Sequence, residues 1–373
     1  MSDKQPQYRV IAAYLEDGIL GRKFDPARRL PSDMELARKF SASRPTVVRA
    51  MIELQNRGLV DRRVGSGTYI HPSALENGPR ASSGALVGLI ASGLGHTEII
   101  DPICAEITRA SEASGLVVFR GETALDDADS EDFTAEHADA LTRRCIERGV
   151  AGVFFAPLEL ADERATLNRR IAGRLSDAGV AVVLLDREIA DYPEHGPYDL
   201  VAVDSFQAAY ALGRHLTRTG RRSIRFTALP RYPSTTDLRI AGLREAILGA
   251  GLECPSSWAL FGDPSDPAFV RSLLEPVRPD AIVCSNDRTA ALLMQTLAPM
   301  GLRIPEDIAV AGFDDVRYST LLSVPLTTMR QPCRQIGLAA VDAMLSRLRD
   351  RSLPPRAILL PATLVERRST AAG

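Results

Sequence analysis

The chain has little of what metal centres, disulfide frameworks and membrane spans are built from. Its five cysteines, Cys104, Cys145, Cys254, Cys284 and Cys333, are odd in number and far apart in 373 residues. That spacing supports neither a disulfide framework nor a thiolate metal site, and reduced thiols in a cytoplasmic protein are expected. The five histidines, His71, His96, His137, His195 and His215, form no cluster, so no catalytic zinc is expected. No stretch approaches the roughly 18 uninterrupted apolar residues of a membrane span. Charged residues interrupt the apolar runs of the first twenty positions, so no signal peptide is expected. Nor is a cofactor: GLIASGLG lacks the Gly-x-Gly-x-x-Gly spacing of a dinucleotide loop, and no Walker phosphate loop or Ser-containing nucleophile elbow occurs.

What is present is divided unevenly. The net charge of -2 hides an asymmetry, because residues 1–75 carry 13 Lys plus Arg against 8 Asp plus Glu while the remainder carries 32 against 39. A polyanionic partner is therefore expected at the N-terminal end only. The length exceeds one ordinary core and implies two or three domains.

Tyr8, Val10, Ile11, Tyr14, Leu15 and Ile19 recur at helical spacing, which predicts a first helix over about 7–20 with that face buried. Ser32 with Glu35 three residues on is a capping box for a second helix, whose buried side would be Leu36, Ala37 and Phe40. A tight turn at Phe40-Ser41-Ala42 leads to Ser43, a good N-cap for a third helix with Pro45 in its first turn. Val47, Ala50, Met51 and Leu54 give that helix its buried face, leaving Arg44, Thr46 and Arg49 at its front. The run LVDRRVGSGTYIH then has the alternation and turn residues of a short hairpin. Gly65 and Gly67 flank Ser66 and can take the positive φ of a tight tip, while Arg62 and Arg63 supply charge suited to phosphates or a narrow groove.

Two helices joined by a tight turn and followed by a basic hairpin are the order of a helix-turn-helix with a wing. Through LPSDMELARKF, SASRPTVVRAMIEL and NRGLVDRRVGSGTYI, residues 5–71 resemble the winged-helix DNA-binding domain of the GntR family of bacterial transcription regulators. The resemblance implies operator contacts by the residues matching Arg44, Thr46 and Gly67. The expected DNA-facing set is Ser32, Ser43, Arg44, Thr46, Arg49, Arg62, Arg63, Ser66 and Gly67. The family commonly has arginine where this chain has Val48, with Arg49 one place later; one residue is about 100° around a helix, so the operator is not expected to copy that of relatives.

Residues 72–85, PSALENGPRASSGA, lack an apolar period and are expected to be a linker. Beyond it, LVGLIAS, LVVFRG, AGVFFAP and VAVVLLD alternate with helical stretches, and SIRFTAL, SWALFG, DAIVCS and IAVAGF repeat the pattern. Unbroken apolar strands alternating with helices predict parallel sheets covered on both faces, in two α/β units with a cleft between them. Ligands in such folds sit at the C-terminal ends of the strands.

Residues 86–368 resemble the effector-binding domain of the lactose and galactose repressor family, itself built like the periplasmic sugar-binding proteins. The pieces that carry the resemblance include RGVAGVFFAP, VVLLDR, VAVDSFQAAYALGRHL, RIAGLREAI, PDAIVCSNDRTAALLM and GLRIPEDIAVAGFDDVRYSTLLSVPLTTMRQP. The fold class expected is thus α/β multidomain: a winged helix-turn-helix over 1–71, the linker over 72–85 and a two-lobed periplasmic-binding-protein-like domain with parallel sheets over 86–373. The resemblance implies three crossings between the lobes, near 204–220, 325–331 and 351–357, with the helix over about 332–348 lying back on the first lobe.

It also implies that Asp287 accepts hydrogen bonds from ligand hydroxyls and that Arg239 reaches the ligand, an acceptor-only and a donor-only group suited to adjacent hydroxyls. Arg187 ends a first-lobe strand, with Asp186 placed to orient it. Phe155 and Phe313 offer faces for sugar rings or for the core. His96 and Glu98 in SGLGHTEI are expected to be selective, and Asp314 lies near the cleft with a more structural role. A basic residue such as Arg231 would favour a sugar acid over a neutral sugar. The expected function is a ligand-controlled transcription regulator, a repressor of carbohydrate or sugar-acid genes. Its expected partners are double-stranded operator DNA, a sugar-type effector and a second copy of the chain in a homodimer, with no membrane partner. A glycosidase pairing of Asp287 with Asp314 lacks company, so an enzyme is not expected, and a two-lobed region serving only dimerisation is the alternative.

Overall fold

A computed structural model of the chain describes residues 7–20, 23–24, 30–56, 59–63, 67–70, 85–91, 98–120, 135–158, 164–190 and 193–371. The chain divides into two units, Met1–Gly84 and Ala85–Gly373. The stretch 72–84 expected to be a linker lies outside the described residues.

In the first unit, α1 (Gln7–Leu20), α2 (Asp33–Lys39) and α3 (Arg44–Asn56) precede a hairpin of β1 (Val60–Arg63) and β2 (Gly67–Ile70). Ile11, Leu15 and Ile19, four apart on α1, are fully buried against Leu36, Val47, Met51 and Leu54; this is the stripe that a 3.6-residue period puts on one side. Val10 and Tyr14 fall off that stripe and stay 42% and 36% exposed, contrary to the burial expected of them. Tyr14 is still in use, with the Lys39 ammonium 3.7 Å above its ring and Phe40 edge-on at 5.2 Å. Ser41 takes φ +48° to close the turn between α2 and α3.

The second unit holds two six-stranded sheets. The first lobe contains β3 (Ala85–Ile90), α4 (Ile100–Ala113), β4 (Leu116–Arg120), α5 (Ala135–Glu147), β5 (Gly152–Phe155), α6 (Arg164–Asp177), β6 (Ala181–Leu185) and β7 (Asp199–Val203). The second contains α7 (Ser205–Arg218), β8 (Ile224–Ala228), α8 (Thr235–Gly249), β9 (Ala259–Phe261), α9 (Pro267–Leu274), β10 (Ala281–Cys284), α10 (Asp287–Leu297), β11 (Ala309–Asp314) and β12 (Thr327–Arg330). The chain then returns to the first lobe through α11 (Cys333–Arg349), which packs along α4, and β13 (Ala357–Leu360), and ends in the second with β14 (Thr363–Val365). Strand orders are β13-β7-β6-β5-β3-β4 and β14-β12-β11-β10-β8-β9, parallel throughout except where β14 runs against β12.

The two lobes therefore repeat one plan, with β6 and β11 each the fourth strand of its lobe and each third from one edge. The chain crosses at Asp204, after Gln331, and between Leu360 and Thr363. The third crossing comes later than the 351–357 expected, because Ala357–Leu360 pairs in parallel with Leu200–Val203 and so belongs to the first lobe. β5, β6, β10 and β11 are buried along their whole length, as a sheet covered on both faces requires.

Candidate functional site

In the first unit the two serines are caps before they are anything else. The Ser32 hydroxyl accepts from the Glu35 amide at 3.3 Å while the Glu35 carboxylate accepts from the Ser32 amide at 2.6 Å. The Ser43 hydroxyl accepts from the Thr46 amide at 3.3 Å and lies 2.7 Å from the Thr46 hydroxyl. These bonds satisfy amides that a helix N-terminus leaves open. They fix the first turn of α3 and leave Arg44 exposed at its tip. Arg49, one step round from the position where arginine was expected, turns to α1, and its guanidinium lies 4.2 Å from the centre of the Tyr8 ring. At the wing, Gly67 has φ +115° and pairs with Arg63, while Arg62 pairs with Thr68. Ser66 and the side chains of Arg62 and Arg63 lie outside the described residues.

In the second unit the chemistry collects where β6 and β11 end. Asp186 follows β6 with φ +68° and Asp314 ends β11 with φ +111°, conformations that aspartate tolerates better than most residues but that are uncommon outside glycine. Arg187 donates through Nε (3.0 Å) and a terminal nitrogen (2.6 Å) to one oxygen of Asp186. From the second lobe, Arg239 on α8 reaches the same place. It donates to the Ser285 carbonyl, lies 4.0 Å from Asp314 Oδ1, and rests its guanidinium 4.6 Å from the Phe313 ring centre. Gly242, one turn on from Arg239, permits this placement: a Cβ there would stand 2.1 Å from the Phe206 carbonyl oxygen, so only glycine lets α8 press onto the start of α7. Gln331, at the second crossing, donates to Asp314 Oδ1 at 2.7 Å.

All five of these polar side chains are at least nine-tenths buried. Asp186 Oδ1, Arg239 Nε and Gln331 Oε1 have no hydrogen-bond partner. Burial pushes the Asp314 carboxyl up to about 6, against the pull of Arg239 and the Gln331 bond. Burial also draws Arg187 down to about 9, which leaves it charged at neutral pH. Glu98, at the head of α4, accepts a hydrogen bond from the Tyr318 hydroxyl across the lobes; burial, with the charge of Glu98 and this bond, holds the phenol's proton on. Beside this cluster a cavity of about 500 Å³ opens between the lobes. Leu158 and Asn168 wall it on one side, Arg187 and Glu188 at the strand end, and Ala241 and Arg244 of α8 on the other. Asn168 both donates to and accepts from the Leu158 backbone (3.0 and 2.8 Å), pinning the chain beyond β5.

Arg187, Arg239, Asp314 and Glu98 are thus brought together at the cleft. Three other expectations need correction. Asp287 is fully buried and accepts from the Thr328 hydroxyl at 2.6 Å and the Val316 amide at 3.0 Å. The N-cap of α10 is Asn286, so Asp287 tucks under β11, where a Cβ on Gly312 would come within 2.3 Å of its Oδ1. Burial, together with the charge of Asp314, raises its carboxyl well above the usual range. Phe155 is fully buried in the first-lobe core among Ile90, Val182 and Leu184. Phe313 is 2% exposed and serves as the shelf beneath Arg239, with no face left for a sugar ring. His96 lies outside the described residues. Gln331 and Tyr318 were missed: they carry no motif of their own, and only the second crossing and the turn after β11 bring them to the cleft.

Residues 7–70 match the family model for bacterial regulatory proteins of the gntR family, and residues 214–370 match that of a periplasmic binding protein-like domain. The chain thus carries a gntR-type regulatory segment followed by a periplasmic binding protein-like domain. The HTH-type transcriptional repressor PurR of Escherichia coli is 33% identical over 179 residues, 47% of this chain and 52% of the relative. The chain thus spans about half the length of the curated relatives it matches. Among solved structures, a complex of the transcriptional regulator CelR with cellobiose covers 98% of this chain and all of its own, with 22% identity and a TM-score of 0.63. A LacI family regulator from Enterococcus faecium with bound ribose covers 77% of this chain and 99% of its own, at 21% identity and a TM-score of 0.60. These likenesses establish the α/β fold with its two-lobed domain of parallel sheets.

Proposed function

We propose that the chain is a transcription regulator in which a small hydroxylated effector, a sugar or sugar acid, binds between the two lobes and alters the affinity of the winged head for operator DNA. The observation that carries the effector reading is the set of buried, unpartnered polar atoms at the lobe junction, one donor on Arg239 and acceptors on Asp186 and Gln331. Buried polar atoms without partners are costly, and hydroxyl groups, which both donate and accept, would satisfy all three. The adjoining cavity has the size and mixed polarity usual for small-molecule sites. PurR is a repressor by name, and the CelR and Enterococcus structures hold cellobiose and ribose; these relatives support a repressor with a carbohydrate effector.

For the head, the reading gives Arg44 and Thr46 to the major groove, and Gly67 with Arg62 and Arg63 to the adjoining backbone or minor groove. Ser32 and Ser43 contribute through their caps. Binding to a pseudo-palindromic operator as a homodimer completes the scheme. Calorimetry of the full chain with a panel of pentoses, hexoses and uronic acids tests the effector reading. One or more should bind, and Arg239→Ala should weaken that binding at least tenfold. Binding that survives Arg239→Ala unchanged would place the effector elsewhere. A two-lobed domain serving only dimerisation would bind none of the panel.

A further inference from the structure

Asp186 and Asp314 occupy equivalent places in the two lobes. Each follows or ends the fourth strand, each has a positive φ, and each carboxyl is buried on the cleft side of its sheet. Arg239 acts on both. Their own partners differ. Asp186 is held by two donors of a charged guanidinium, the strongest kind of support for an ionised carboxylate. Asp314 is held by the neutral Gln331 amide, with Arg239 at 4.0 Å, the outer limit of an ion pair. Burial pushes both carboxyls up to about 6, and two buried like charges in one site cannot both ionise freely; by its hydrogen-bond partners Asp314 is the less supported.

The surroundings of Asp314 come from both lobes. Glu98, Asp186 and Arg187 belong to the first. Asp287, Tyr318, Arg239 and Gln331, together with Cys333 at the start of α11, lie on the second lobe or at the crossing. Asp315, its neighbour in sequence, is neutralised by Arg330 and Arg367 at 2.6 and 2.5 Å. Parting the lobes would carry Glu98, Asp186 and Arg187 away and admit water to Asp314.

We infer that closure of the two lobes is coupled to the uptake of one proton by Asp314, while Asp186 stays ionised on Arg187. The inference rests on the reading of the lobe junction as the effector site, which must part to admit an effector. The sign follows from burial: with the lobes together, desolvation pushes the Asp314 carboxyl up to about 6, whereas a hydrated aspartate ionises near its ordinary value of about 3.9. Lowering the pH through that window therefore favours closure, and the bias is lost as pH rises past about 6.

Two measurements on the full chain, without effector, test this. The first is infrared titration between pH 8 and 4. A protonated-carboxyl band should grow with a midpoint near 6 and vanish in Asp314→Asn. In Asp186→Asn, which frees Arg187 to act on Asp314, the midpoint should fall by roughly half a unit or more. The second is the distance between spin labels at Glu112→Cys on α4 and Arg271→Cys on α9, in a Cys254→Ser, Cys333→Ser background. The short-distance population should rise from pH 8 to pH 5 and be the same at both in Asp314→Asn. A band that still titrates near 6 in Asp314→Asn, as uptake by Asp186 would give, overturns the inference. So does an Asp186→Asn midpoint that does not fall, or a distance distribution that ignores pH or shifts equally in Asp314→Asn. None of these results depends on effector binding, which stands or falls on the calorimetry above.

Discussion

Arg49 and Arg44 are five residues apart on one helix and do different work. Arg49 lies over the Tyr8 ring, a cation–π contact worth about 0.5–1 kcal/mol at an exposed site. Arg44 stands exposed beyond the Ser43 cap. Arg44→Ala is expected to weaken DNA binding and lower the salt slope of log affinity by about 1, whereas Arg49→Ala is expected to lower the head's melting temperature and leave the slope alone. Operator titrations at several salt concentrations, with thermal melts, separate the two. Asp287→Ala should behave as a stability variant, because it leaves the Thr328 hydroxyl and Val316 amide buried without an acceptor. A loss of about 1–3 kcal/mol in urea unfolding is expected, with effector affinity preserved. At this scale the sequence announced strand ends but not directions. Whether the residue after SN faces the cleft or tucks beneath β11 depends on Gly312 and Thr328, 25 and 41 residues further on, and no local pattern carries that.

At the scale of elements, legibility followed the long apolar runs. β3–β6 and β8–β11 announce themselves as apolar runs, and most are buried on both faces. The short edge strands β13 and β14 are only partly buried along their length and fall outside those runs, and the third crossing was misplaced with them. The head's helices were legible from caps and period together: the Ser32–Glu35 capping box and the Ser43 cap are as the spacing implied. Ser43→Ala should cost the head about 1 kcal/mol and weaken operator binding, since α3 begins there. Denaturation monitored on the head's own transition checks it. Substituting Gly67 with alanine would force a side chain onto φ +115° and should distort the wing, costing affinity beyond the loss of any one contact.

For the molecule as a whole, the account makes the winged head an output and the lobe junction an input, with Arg239 the side chain on which both lobes converge. Coupling between two sites is reciprocal, so an effector that changes operator affinity by some factor must have its own affinity changed by operator DNA by that same factor. The most direct measurement is operator binding by the full chain, followed by fluorescence anisotropy on a duplex selected by the chain from random sequence. It is made with and without a saturating amount of the panel sugar that binds. The account predicts a shift in operator affinity of fivefold or more, abolished in Arg239→Ala. An operator affinity that stays the same when the cleft is filled would contradict it.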